Sequence, residues 1–292
     1  MTFIIIALCL FIERYMLELE DYRQPAWFKR YLTWSQQLPW SEWMSQSVSG
    51  ILITVAPLLI AVGIGQAMFD DILGGIPELL FAAVVLLFSL GPRDLQRQVQ
   101  SFVDACDSEN EEEKKRIGYD LAGGNTAHKE QTYGQTIALG ILKQSYLRTF
   151  SVIFWFIILG PVGAVLYRSS HTLKQKLPEM DDLGLDFRSG VNRLLYILDW
   201  VPARITAFSY ALSGNFHDAT SRWWDAHEDQ DSDDTDNIIE RAGSGALGLE
   251  TATADTDDDP AMYAEMAQGL ALRSLTIWVG VLAVITITNW VS

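Results

Sequence analysis

Four stretches of this chain, Ile51 to Phe69, Leu79 to Leu90, Thr149 to Tyr167 and Ser274 to Ser292, contain no Asp, Glu, Lys or Arg at all. An overall hydrophobic content of 49% would suit a globular protein, so the grouping of the apolar residues decides, not their number. A run of about 18 or more apolar residues is the length a helix needs to cross roughly 30 Å of hydrocarbon. In lipid the backbone must satisfy its own polar groups, which makes such runs helices. The alternating pattern of about ten residues that marks an outer-membrane barrel is absent. The expected fold is therefore all-α: a polytopic helical membrane protein with cytoplasmic helical loops.

The N-terminus is apolar from Met1 to Ile12 and stops at Glu13-Arg14. A signal peptide would place basic residues before that stretch and a small-residue cleavage site after it. Neither is present, and the segment reads as a retained, short or partly inserted helix, with a cleaved signal as the alternative. Glu13 to Ser47 then carries Trp27, Trp34, Trp40 and Trp43 among mixed charges. Tryptophan favours the headgroup zone, so this stretch is expected along the membrane surface, or else as a small soluble hairpin packed on the rest.

Ser47 to Phe69 and Ile76 to Leu90 read as two spans joined by an acidic turn beginning at Asp70-Asp71 and lacking Lys and Arg. The flanking stretches, 13–47 and 93–148, carry many basic residues. Basic loops stay in the cytoplasm, which puts those stretches inside and the turn outside. Gly91 to Arg148 reads as cytoplasmic helices: one begins at Pro92-Arg93-Asp94, a second carries the charged run 111–116, and Gly123-Gly124-Asn125-Thr126 breaks before a third. Thr149 to Arg168 is a hydrophobic segment broken at Pro161, and Ala271 to Val291 is a closing span. The basic residues Arg168, Lys174 and Lys176 belong inside by charge and outside by counting spans. A re-entrant hairpin at Pro161 reconciles the two.

The net charge of −16 is unevenly placed, since Phe216 to Pro260 holds fourteen acids against two bases. That tract lacks the basic footprint nucleic-acid binding requires, and no nucleic-acid partner is expected. Its Asp, Ser, Thr and Gly content reads as a disordered linker. Composition thus divides the chain into a membrane and cytoplasmic-helix core (1–214), an acidic linker (215–269) and a C-terminal transmembrane helix (270–292). Cys9 and Cys106 have no metal-site or disulfide spacing.

The most informative stretch is Val191 to Leu212, apolar enough to enter a membrane yet holding Arg193, Asp199 and Arg204. At about 100° per residue, Arg193, Trp200 and Arg204 share one helix face, with Asp199 to the side. Intramembrane charges are costly unless paired or hydrated, and they usually face a cavity. Two arginines flanking a tryptophan suit an anionic ligand such as phosphate; the alternative is an interfacial helix whose arginines reach headgroups or pair with Asp199. Gly243-Ser-Gly245-Ala-Leu-Gly248 has dinucleotide spacing but no preceding strand. His217-Asp218, Asp225 and His227-Glu228-Asp229 offer metal-ligand chemistry, which chance explains better in a tract this acidic. No catalytic set and no metal site stand out.

The run Leu198-Asp-Trp-Val-Pro-Ala-Arg-Ile-Thr-Ala207, with Gly163-Ala-Val-Leu-Tyr167-Arg168 before it and Phe11-Ile-Glu13-Arg14 at the start, resembles the AmpE family. That family is placed in β-lactamase regulation and is similar to the wider CobD/CbiB family. The latter are membrane enzymes of cobalamin synthesis that join adenosylcobyric acid to an aminopropanol unit with ATP and magnesium. The resemblance spans most of the chain and excludes the acidic tract. The enzymes carry an acidic Glu-Ser-x-x-Glu-Asn-x-x-Asp-Gly motif where this chain has Lys143-Gln-Ser-Tyr-Leu-Arg148. They carry Asn-Thr-Leu-Asp-Ser-Met where it has Ser169-Ser-His-Thr-Leu-Lys174. Carboxylates that would hold magnesium are thus replaced by neutral or basic groups.

The resemblance implies an inner-membrane, multi-pass regulator or sensor of cell-wall stress and β-lactamase induction. Its ligand-binding residues would be Glu13, Arg14, Tyr167, Arg168, Arg193, Asp199, Trp200 and Arg204. Its partners would be the lipid bilayer and either an anionic small molecule or a membrane partner protein; no cofactor is specified. The competing reading is a divergent ATP-dependent amide ligase with Glu13 and Asp199 as its remaining acidic groups, and a third is a scaffold for another membrane protein.

Overall fold

The computed structural model describes residues 2–15, 30–31, 49–69, 75–90, 95–108, 110–124, 131–179, 184–225, 235–249 and 259–291. Among them there is no strand. The helices are α1 (Thr2–Tyr15), α2 (Ser49–Phe69), α3 (Ile76–Ser89), α4 (Leu95–Asp107), α5 (Glu111–Leu121), α6 (Tyr133–Ser145), α7 (Ser151–Lys176), α8 (Leu185–Ser213), α9 (Phe216–Asp225), α10 (Thr235–Leu247) and α11 (Pro260–Val291). The turns 13–47 and 70–75 fall largely outside the described residues, as do Pro92 to Asp94. Among the described residues, two helical stretches, Tyr133–Glu179 and Pro260–Thr288, are long and apolar enough to cross a membrane. The 21 residues of α2 reach about 31 Å and the 14 of α3 about 21 Å at 1.5 Å per residue.

Backbone packing groups the chain differently from composition, into one unit of Met1–Pro92 with Ser151–Asp199 and a second of Arg93–Phe150 with Trp200–Ser292. In the first, α1 packs on α3, and α2 and α3 pack on α7. Ile51 and Val55 of α2 meet Leu173 of α7, Leu177 just after it, and Phe187, Val191 and Leu195 of α8 in one apolar core. The opposite faces, Ile60, Ile64 and Met68 of α2 and Ile76, Leu80, Val84 and Phe88 of α3, are exposed. Exposed rows of large apolar residues at steps of four suit a helix whose solvent on that side is lipid.

The break expected at Pro161 is present. Gly160 takes φ 64° and ψ −152°, dividing α7 into two helical halves. Proline supplies no N–H and disfavours helical geometry in the residue before it, and a glycine there accepts a positive φ at little cost.

In the second unit, α11 packs on α6 and α4, and α5 and α10 also lie on α6. Thr132 and Gln135 form a reciprocal capping box at the start of α6, satisfying two otherwise unpaired helix-end donors. The core is aromatic where α8 joins it: Tyr210 donates to the Leu142 carbonyl at 2.9 Å, and the Phe150 ring meets Tyr210 and Trp278 edge-on. Trp278 donates to Ser209 Oγ at 2.7 Å.

The acidic tract differs from the expected linker. Residues 226–234 and 250–258 lie outside the described residues, but α9 and α10 form and pack against one another. Ile238, Ile239, Ala242 and Ala246 are buried, a helical period that the surrounding Asp and Glu hide in a composition count. Glycines permit the close approach: a Cβ on Gly245 would lie 2.6 Å from the Ala219 Cα.

Candidate functional site

The candidate residues fall into separate groups, each within one unit. In the first unit, Tyr167 on α7 is fully buried and donates its hydroxyl to Asp199 Oδ1 at 2.8 Å. Asp199 is 8% exposed, so the carboxylate that sequence spacing set to the side of the arginine face is turned into the protein. A buried carboxyl group needs a hydrogen-bond partner, and the phenol supplies one. One residue earlier, Trp155 donates to the Leu198 carbonyl at 3.0 Å and ties α8 to the first half of α7.

Two neighbours escaped the sequence reading. Ser170 and His171 follow Tyr167 at i+3 and i+4, so they share its face of α7. Both are buried, and His171 stacks on the Tyr167 ring with centroids 6.3 Å apart. Ser169 and Thr172 bond back to the helix carbonyls of Leu166 and Arg168, whereas the buried Ser170 Oγ has no hydrogen-bond partner among the described residues. The i, i+3, i+4 spacing of a Tyr, a Ser and a His was the available signal.

The remaining first-unit candidates are Glu13, Arg14, Arg168 and Arg193. Glu13 is half-buried near the end of α1, and the Arg14 side chain lies outside the described residues. Arg168 is half-buried on α7, and Arg193 is exposed on α8.

In the second unit Trp200 is 44% exposed. The Arg204 guanidinium lies 4.1 Å over its ring centroid and donates to its carbonyl oxygen at 2.9 Å. The two residues do share a face, as the 100° rule requires, but that face points outward beside exposed Val201, Ile205 and Phe208. Asp199 occupies the inward side of α8, and the arginine rows are left on the other side.

Where the amide-forming enzymes carry their acidic motif, the side chains serve helix packing. Lys143 pairs with Glu240 of α10 at 3.4 Å. Gln144 donates to the Asp120 and Leu121 carbonyls at 2.7 and 2.6 Å, closing the end of α5. Arg148 donates to Gln98 at 3.0 Å. Among the described residues there is no cluster of three His, Cys, Asp or Glu side chains able to hold a metal ion; His227, Glu228 and Asp229 lie outside them. The dinucleotide-like glycines are packing devices: Gly243 faces Leu142, Gly245 faces Ala219, and Gly248 ends α10 at φ +66°.

These features define the class: an α-helical membrane protein with exposed apolar helix faces, a broken intramembrane helix and a buried Tyr–Asp pair joining it to its neighbour. The chain belongs to the AmpE family, for the family described as regulatory signalling modulator protein AmpE matches residues 1–291. It is similar to the cobalamin biosynthesis protein CobD of Stutzerimonas stutzeri, 29% identical over 209 residues that cover 71% of this chain and 66% of that one. CobD of Chromobacterium violaceum is 26% identical over 59% of this chain and 55% of its own length. Protein AmpE of Shigella flexneri is 22% identical over 59% of this chain and 63% of its own. The chain therefore spans two thirds or less of each of these relatives. No solved structure matches it.

Proposed function

We propose that this protein is a multi-pass protein of the cytoplasmic membrane that acts as a regulator or sensor in cell-wall stress and β-lactamase induction. Its signal is an anionic small molecule or a membrane partner protein, drawn by basic groups such as Arg168 and Arg193. What carries the reading is the chemistry at 143–148. The stretch that matches the acidic motif of the amide-forming enzymes is here Lys143 to Arg148, with no carboxylate in it, and Lys143, Gln144 and Arg148 are each engaged with another helix of their unit. The AmpE family match supports it. Deleting the gene and measuring β-lactamase induction by a β-lactam tests it: altered induction, restored by the intact gene, is expected. Unchanged induction overturns the regulatory role.

The similarity to the two CobD proteins favours one second reading, an ATP-dependent amide ligase of the adenosylcobinamide-phosphate synthase type. Expressing the chain in a strain lacking its cobinamide-phosphate synthase separates the two. Cobalamin-dependent growth that is lost with Asp199→Ala would establish the ligase. No growth, with the protein present in the membrane, removes it.

A further inference from the structure

We propose that Pro202 makes α8 a hinge and that the Trp155 indole is the latch that holds it. The inference is independent of the regulatory reading and would hold equally for a ligase. α8 runs through Pro202 as one helix from Leu185 to Ser213. In an α-helix, residue 202 would donate its N–H to the carbonyl of residue 198, and proline has no N–H to give. The Leu198 carbonyl is the one that takes the Trp155 indole N–H, at 3.0 Å. A proline inside an apolar helix is tolerated where a neighbouring helix satisfies the carbonyl it frees, and Trp155 of α7 does so. The indole thus replaces a bond within α8 by a bond to another helix.

The position of the proline gives the latch its consequence. The boundary between the two packing units falls inside α8, between Asp199 and Trp200, and Pro202 lies within one helical turn of it. On one side, Leu198 and Asp199 are tied to α7 through Trp155 and Tyr167. On the other, Ser209 and Tyr210 are tied to Trp278 of α11 and to the Leu142 carbonyl of α6. The proline lies between these two sets of ties. Thr206 donates to the Pro202 carbonyl at 2.8 Å, a back-bond of the kind that bends helices. A second helical passage from one unit to the other, at Phe150 to Ser151, directly follows a π-helical turn over Tyr146–Phe150, an irregularity that also kinks helices. A plain helix would pass a rigid motion from unit to unit. Helices weakened at the passage allow a bend, and loss of the Trp155–Leu198 bond releases it.

The test is double electron–electron resonance on the full-length, detergent-purified protein with spin labels at Ser189→Cys and Leu212→Cys, and with Cys9→Ala and Cys106→Ser removing the native thiols. The two labelled positions are exposed, flank Pro202 and lie about 35 Å apart along a straight helix at 1.5 Å per residue. With Trp155 present, one narrow distance population is expected. Trp155→Phe keeps an aromatic ring but loses the N–H, and should add a second population at shorter distance. Pro202→Ala in the same chain restores an N–H for the Leu198 carbonyl and should return the distances to one population. An unchanged distribution in Trp155→Phe overturns the latch. So does a second population that persists when Pro202→Ala is added, because the ring would then act through packing alone. Should Trp155→Phe fail to fold, Pro202→Ala by itself is the second measurement. It should slow amide hydrogen exchange across residues 199–206 about fivefold, the equivalent of one ordinary hydrogen bond, and unchanged exchange overturns the hinge.

Discussion

Tyr167 and Asp199 illustrate how a buried polar pair is satisfied between two apolar helices. The carboxylate lies on the inward side of α8, and the phenol reaches it at 2.8 Å from a residue with no exposed surface. Removing a donor from a buried acceptor costs its desolvation, about 1–3 kcal/mol and more for a charged group. Tyr167→Phe should therefore lower the melting temperature of the detergent-purified protein, while Asp199→Asn, which keeps an acceptor for the phenol, should lower it less. Equal stability of Tyr167→Phe and the native protein would show that this bond does not hold the helices together. Cys106 supplies a second residue-scale prediction. Burial pushes its thiol up, Lys114 opposes this, and Asp259, Asp107 and Glu111 add to it. A raised thiol pKa leaves less thiolate at pH 8 than a free cysteine has, and the thiolate is the nucleophile. Alkylation should be slower than that of a free thiol and should speed up as the pH rises. Lys114→Gln should slow it further and Asp259→Asn quicken it; a rate equal to the free thiol's at pH 8 would refute the assignment.

At the scale of elements, glycine positions decide where helices break and how closely they approach. Gly160 sits at φ 64° and ψ −152° beside Pro161, a region open essentially to glycine alone that costs other residues on the order of 1 kcal/mol or more. Gly160→Ala should destabilise the protein by about that amount, read from thermal melts in detergent. Gly140 of α6 is packed against the Leu121 carbonyl and the Ala122 Cα, so Gly140→Ala should cost more, in the range of about 1–3 kcal/mol typical of overpacking. A Gly140→Ala protein as stable as the native one would mean that α5 and α6 separate freely. The sequence made the apolar helices legible because their charge-free runs are long, and it marked the break because Gly-Pro leaves few conformations. It hid α9 and α10, whose buried Ile238, Ile239 and Ala242 are scattered among acids. Of the site, periodicity put Trp200 and Arg204 together and Asp199 apart. Which side faces the protein depends on neighbours such as Tyr167, 32 residues away, and no local pattern carries that information.

At the scale of the whole molecule, the distribution of charge makes a prediction about sidedness. Basic residues cluster in 13–47 and 93–148, while the turn beginning at Asp70-Asp71 has none. Segments rich in Lys and Arg are retained in the cytoplasm far more readily than acidic ones. The turn is therefore expected on the outer side and α4 to α6 on the inner side. The native chain contains a probe for the second half of this statement, because Cys106 is partly exposed on α4 whereas Cys9 is buried against the Ala83 carbonyl. In spheroplasts, a membrane-impermeant maleimide at raised pH should label Asp71→Cys and leave Cys106 unlabelled until the membrane is opened. Labelling of Cys106 in sealed spheroplasts, with Asp71→Cys protected, would invert the arrangement. Lys174→Cys then decides what the break at Gly160 does. Lys174 is exposed at the far end of α7. If the two halves of α7 form a re-entrant hairpin, that end returns to the side from which α7 started, and the new cysteine is labelled only after permeabilisation. If α7 crosses the membrane despite its break, Lys174→Cys reacts in sealed spheroplasts together with Asp71→Cys. That outcome would place Arg168 and Lys176 against the positive-inside tendency, a cost a membrane protein accepts where other loops fix its orientation. The seven basic residues of 93–121 and 143–148 that flank α4 to α6, Arg93, Arg97, Lys114, Lys115, Arg116, Lys143 and Arg148, are numerous enough to do so.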